Sequence, residues 1–164
     1  MIRSIRNFIA LPREEKRLFL EAYLWLGWMR AGILLLSFKR LTRGLEQSRL
    51  PGERVPPGRE QMRIALLVGR AIARAAARTP WESACLVQSL SARKMLQKRG
   101  IPGVFYLGVA REKEEMKAHA WTECGTLIVT GRAGHEAFTV VSVFGWTVDG
   151  APASEPVASA PRAP

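Results

Sequence analysis

The sequence is poor in cysteine. Cys85 and Cys124 are its only two in 164 residues. That excludes a disulfide framework and reads as a protein of the reducing cytoplasm. A secretory signal peptide with a small-residue cleavage site is missing, and so are internal repeats. No glycine-rich phosphate loop occurs, so nothing supports ATP binding by this chain. Histidine is scarce too, with His119 and His135 alone. No two of these histidines and cysteines lie at a close chelating spacing, so neither a metal nor a cofactor is expected. Carboxylates are few: 14 Asp and Glu against 25 Lys and Arg, a formal charge of +11. Most of the basic residues fall within residues 1–111. Such a balance favours anionic partners: nucleic acid, an acidic membrane surface or an acidic peptide. The basic faces carry no interleaved aromatics, so nucleic acid is not expected as a partner.

What is present is enough apolar material for one core. Apolar residues make up 48% of the chain, which rules out wholesale disorder, and the length suits a single domain. Residues 22–38 are apolar except for Arg30 and Ser37. The run is slightly short of the roughly 20 residues that a membrane span needs, and Arg30 sits near its middle. A buried or partner-facing helix is the better reading.

Residues 1–10 are a basic lead-in. Leu11-Pro12-Arg13-Glu14-Glu15-Lys16 starts a helix, with proline in the first turn and carboxylates near the positive end of the dipole. The helix is expected to run to residue 38, with Leu18, Ala22, Trp25, Met29 and Gly32 on one face. Leu24, Leu26, Trp28, Leu34 and Leu35 fill the other faces, so something must cover it, core or partner. Residues 39–47 read as a short basic helix, which completes an N-terminal helical region over residues 1–50. Residues 51–58 hold three prolines and two glycines with residue 50 just before them, and form a linker. Residues 59–77 form the second long helix, with Ile64, Leu67, Val68, Ala71, Ile72 and Ala75 at helical spacing and Arg59, Arg63, Arg70, Arg74 and Arg78 on its basic side. A third helix starts at Cys85 and ends at Lys98-Arg99-Gly100. Strands follow at residues 104–109, 119–123, 126–130 and 138–144. A charged loop is expected at residues 112–117 and a turn at Cys124-Gly125. Residues 151–164, rich in alanine and proline, read as a disordered tail. The expected fold is α+β: N-terminal helices packed on a small antiparallel sheet.

Two places carry chemistry. In Trp81-Glu82-Ser83-Ala84-Cys85, Pro80 stops what precedes, and Ser83 or Glu82 is positioned to cap a helix that Cys85 opens. The first turn of a helix offers unsatisfied N–H groups and the positive end of the dipole, a setting that stabilises thiolates. Downstream, Ala118-His119-Ala120-Trp121 reads as a strand. A cysteine opening a helix and a histidine on a later strand is the order of papain-like and transglutaminase-like thiol enzymes. A small buried cysteine and a structural histidine are the plainer meaning of the same residues.

Four blocks in order favour the chemical reading. Cys85-Leu86-Val87-Gln88-Ser89-Leu90, Leu96-Gln97-Lys98-Arg99-Gly100-Ile101-Pro102, Tyr106-Leu107-Gly108-Val109 and Ala118-His119-Ala120-Trp121-Thr122-Glu123 resemble the lasso-peptide leader peptidases. These are stand-alone cysteine proteases of transglutaminase fold, and the resemblance covers about residues 11–146. It implies a transglutaminase/papain-like core over residues 59–150, with Cys85 as nucleophile and His119 as base and then acid. The backbone N–H of Cys85 becomes an oxyanion donor. Such enzymes often carry an aspartate on the strand after the histidine strand. The matching position here is Thr130-Gly131, which has no carboxylate. Thr130, a backbone carbonyl, or Glu123 on the His119 face could orient the imidazole, and Glu136 or Asp149 only if the chain folds back. The implied function is removal of the leader from a lasso-peptide precursor. The implied partners are that precursor, a separate leader-binding recognition protein and an ATP-dependent lasso cyclase. Trp25, Trp28, Arg63, Arg70 and Trp121 are the candidates for substrate or partner binding. A non-catalytic basic peptide-binding module on a degenerate transglutaminase fold is the rival reading, and an acyl-transferring thiol enzyme is the third.

Overall fold

The computed structural model describes residues 11–35, 56–112 and 115–146. The lead-in at 1–10, the basic helix expected at 39–47, most of the linker and the tail at 151–164 lie outside the described residues. Three helices come first: α1 (Arg13–Leu35), α2 (Arg59–Ala76) and α3 (Cys85–Gln97). Strands β1 (Gly103–Glu112), β2 (Glu115–Cys124), β3 (Leu127–Thr130) and β4 (Thr139–Trp146) follow, with a 3-10 turn at His135–Ala137 before the last. They form one antiparallel sheet in the order β3-β2-β1-β4. The architecture is the α+β one that the hydrophobic pattern predicts.

Local chemistry sets the ends of these elements. The carboxylates Glu14 and Glu15 occupy the first turn of α1, where the dipole favours them. At the start of α2, Gly58 N–H donates to Gln61 Oε1 at 2.9 Å. Past the end of α3, Gly100 takes φ +60, and Ile101 N–H donates back to Leu96 O at 3.1 Å. That closure turns the chain into β1. The charged segment at residues 112–117, expected as a loop, contributes strand ends instead: Glu112 pairs with Glu115 and Arg111 with Met116. An extended hairpin arm keeps those side chains in water as well as a loop does. The turn after β2 is centred one residue later than expected, and Cys124 ends the strand inside the core.

The helices bury one side of the sheet. α1 contributes Leu18, Ala22, Leu26 and Met29 to the core, and α2 contributes Ala65, Val68, Ala71, Ile72 and Ala75. Leu26, not Trp25, joins Ala22 as fully buried on α1; Trp25 packs against the core only in part. A helix that is apolar on nearly every face gives no contrast from which its inner line can be read. Gly69 lets α2 lie directly on β3, since a Cβ there would stand 2.4 Å from Val129 O.

Ion pairs tie α1 to the other helices. Glu14 takes Arg63 at 3.2 Å, Glu15 takes Arg74, and Glu21 takes Arg99 at 2.5 Å and Lys98 at 3.3 Å. Arg30 reaches Glu82 at 3.4 Å. The arginine row of α2, which the sequence presents as a bare basic face, is therefore partly neutralised from α1. Burial raises the Glu21 carboxyl, but the hydrogen bonds and charges of Arg99 and Lys98 outweigh it and leave it below its ordinary value. A carboxyl lowered by folding adds stability above its unfolded pKa, about 4.3, and loses it as pH falls through the folded value. Denaturant unfolding of the wild type should thus weaken more steeply below about pH 4 than that of Glu21→Gln, while at neutral pH the variant should be the less stable. Parallel pH profiles for the two proteins would show that Glu21 contributes nothing.

Candidate active site

The start of α3 has no side-chain cap. Its N-cap is Ala84, in extended conformation, with no capping hydrogen bond from a side chain. The two residues expected to cap it are engaged elsewhere: Ser83 Oγ shares a hydrogen bond with Thr79 Oγ1 at 2.9 Å, and Glu82 pairs with Arg30. This correction bears on chemistry. An uncapped helix start leaves its first N–H groups, that of Cys85 among them, without a side-chain acceptor. Cys85 itself is half-buried and packs against the core.

One turn further on, Ser89 locks α3 to the sheet. It is fully buried, and its Oγ donates to Ala120 O at 3.0 Å and lies 3.1 Å from Thr130 Oγ1. Its backbone carbonyl accepts Thr122 Oγ1 at 3.1 Å. These contacts also fix the helix's direction. A helical side chain leans toward the N-terminus and a helical carbonyl points toward the C-terminus. Ser89's side chain meets residue 120 and its carbonyl meets residue 122, so α3 runs along β2 from the 119 end toward the 124 end. Cys85, one turn before Ser89 on the same side, lies toward His119.

His119 is held from behind. Its Nε2 lies 2.7 Å from the carbonyl oxygen of Gly131. A carbonyl can only accept, so Nε2 carries the proton and the neutral ring keeps its lone pair on Nδ1. The ring also stacks on Trp121, centroids 6.0 Å apart, and lies tilted against Phe138 at 5.0 Å. Gly131 follows the end of β3, at the hairpin position where an aspartate would stand. Its φ is +77, and a Cβ there would lie 2.4 Å from Ala120 O. Only glycine brings its carbonyl to this place without strain.

The other candidates for the orienting role make different contacts. Thr130 is buried and turns its hydroxyl to Ser89, and Glu123 accepts Trp121 Nε1 at 3.1 Å. Neither hydrogen-bonds His119. Glu136 is exposed on the 3-10 turn, beside His135. Asp149 lies outside the described residues.

Cys85 and His119 are not joined by a hydrogen bond. Ala120, Thr122 and Cys124 face the helices, so strand alternation puts His119, Trp121 and Glu123 on the other side of the sheet. The paired part of β3 ends at Thr130, opposite Thr122, so at His119 the flank of β2 toward α3 has no strand beside it. Catalytic hydrogen bonds often tighten only in the substrate complex, so the apo arrangement leaves the pair in play.

The remaining candidates sort by exposure. Trp28 is 73% exposed and Arg70 is exposed, whereas Arg63 is ion-paired and Trp25 is half-buried. Trp121 is buried and stacks on Tyr106 at 5.1 Å, which makes it a wall for His119. Cys124 is fully buried, and burial pushes its thiol up to about 11. The sequence reading overlooked Ser89 and Phe138. A serine on the buried side of an apolar helix was the available signal for the first; for the second there was none, because its contact with His119 crosses Gly108, where the absent side chain makes room.

A sequence pattern described as the Transglutaminase-like superfamily matches residues 31–143. No curated protein and no solved structure matches the chain.

Two outcomes follow from this geometry. Iodoacetamide should label Cys85 in the native protein and leave Cys124 untouched until denaturant is added, as mass mapping would show; equal labelling would refute the burial assigned to Cys124. Gly131→Ala should lower the melting temperature by several degrees, as a strain of about 1–3 kcal/mol would in a small domain, and should shift the His119 imidazole resonances. Unchanged imidazole resonances would mean that the Gly131 carbonyl does not hold the ring.

Proposed function

The chain belongs to the Transglutaminase-like superfamily, and from that premise we propose that it is a cysteine peptidase that removes the leader from a lasso-peptide precursor. The observation that carries the reading is the Ser89–Ala120 hydrogen bond, which sets the uncapped Cys85 end of α3 beside the His119 strand. The four sequence blocks around Cys85 and His119 supply the substrate class.

In the proposed reaction His119 Nδ1 takes the proton of the Cys85 thiol as the pair closes over the open flank of β2. The sulfur attacks the carbonyl carbon at the leader–core junction, and the oxyanion is held by the Cys85 N–H. The imidazolium then protonates the leaving amine, which frees the core peptide and leaves the leader as a thioester on Cys85. Water, giving its proton to His119, hydrolyses that thioester and restores the thiol. The Gly131 carbonyl fills the place of the family's aspartate: it fixes the tautomer and orients the ring, though without a carboxylate's charge to stabilise the imidazolium. Slow turnover is the expected consequence. The partners in this scheme are a leader-binding recognition protein that presents the precursor and an ATP-dependent cyclase that closes the ring on the released core.

A second reading, a non-catalytic peptide-binding module on the same fold, is favoured by the absence of a Cys85–His119 hydrogen bond. Acyl transfer to an amine in place of water would use the same pair.

Mass spectrometry of precursor incubated with the enzyme and the recognition protein separates these readings. Wild type should release intact leader and core, Cys85→Ala should release neither while keeping its circular dichroism, and His119→Ala should both stop cleavage and slow Cys85 alkylation at neutral pH. Cleavage that persists in Cys85→Ala would end the peptidase assignment, and wild type that binds precursor without cleaving it would favour the binding module.

A further inference from the structure

The outer face of α1 is a second surface with chemistry of its own. Leu20, Leu24, Trp28, Leu34 and Leu35 are 57–82% exposed, and they are five of the nine large apolar side chains exposed among the described residues. Their spacing places them on one stripe, about 22 Å long at 1.5 Å per residue. The inner face of the same helix is committed to the core through Leu18, Ala22, Leu26 and Met29. All three carboxylates of α1, Glu14, Glu15 and Glu21, are ion-paired to α2 or α3. The outer face therefore carries no acid.

Basic residues stand at the N-terminal end of the stripe. Arg13 and Arg17 are exposed on the first turns of α1, and Arg17 precedes Leu20 along the stripe itself. In sequence, Arg3 and Arg6 come before the helix, and Lys39, Arg40 and Arg43 come after it. The whole chain carries +11. A long apolar stripe, a tryptophan within it, exposed arginines at its start and a strongly basic chain match a helix that lies in the interface of an anionic bilayer.

α1 is long and apolar enough to cross a membrane. Crossing would strip its inner face from the core and its three carboxylates from their arginines and lysine, so the folded protein does not use it as a span. We propose that the Leu20–Leu24–Trp28–Leu35 stripe docks the folded protein onto an anionic lipid surface, with Arg13 and Arg17 contacting lipid phosphates. Most of the stripe lies before residue 31, where the superfamily match begins.

Co-sedimentation of the full chain with vesicles tests this. Binding to vesicles of phosphatidylglycerol mixed with phosphatidylethanolamine should exceed binding to pure phosphatidylcholine by about tenfold or more, and should weaken as salt is raised. Leu24→Glu and Trp28→Glu should abolish it while circular dichroism stays unchanged. Brominated lipids should quench wild-type fluorescence more than that of Trp28→Phe, a substitution that keeps the stripe apolar. Failure to bind the anionic vesicles at low salt would overturn the proposal, as would variants that bind like wild type. Should Leu24→Glu leave vesicle binding intact but remove association with the recognition protein, the face belongs to a protein partner and the proposal is likewise overturned.

Discussion

The buried hydroxyl of Ser89 is the contact on which the candidate site depends. It meets Ala120 O and Thr130 Oγ1, and its own carbonyl takes Thr122 Oγ1. A polar group inside a core must find partners or cost free energy, so this small network admits one placement of α3 on β2 and β3. That placement sets the depth and direction of the helix, and with them the position of Cys85. Apolar packing alone would let a helix slide by a fraction of a turn. Three hydrogen bonds to two strands do not.

The histidine is positioned by a different device. No carboxylate orients the ring: the backbone carbonyl of Gly131 holds Nε2. The carbonyl supplies direction without net charge. It selects the tautomer with Nδ1 free and keeps the ring against Trp121 and Phe138, yet gives an imidazolium less stabilisation than an aspartate would. Such a site is preorganised in geometry and weak in electrostatics. In the proposed reaction substrate binding therefore has a larger share of the work, because it must bring thiol and imidazole together.

Much of this was legible in the sequence. Helical and strand periods located all three described helices and all four strands, while the order of Cys85 and His119 suggested a pair that no hydrogen bond joins. Trp25 and Leu26 exchanged roles because α1 is apolar all round, so no pattern marked its inner line. Glu14 and Glu15 read as carboxylates at the helix dipole and Arg63 and Arg74 as part of a basic face, and nothing local says that one will be laid against the other. The capping expectation at Ser83 and Glu82 failed because Thr79 and Arg30, distant or inconspicuous in sequence, claim those side chains. The Gly131 carbonyl was one of several orienting groups that the sequence left open, since a backbone atom leaves no mark in side-chain chemistry.

The central claim is that His119 is held with Nδ1 free to serve as the base for Cys85, and the imidazole nitrogens report on it directly. In ¹⁵N-edited spectra near neutral pH, the neutral form of His119 should carry its proton on Nε2, and its Nδ1 resonance should move when Cys85 is replaced by alanine. A proton on Nδ1, or an Nδ1 resonance indifferent to Cys85, would contradict the account.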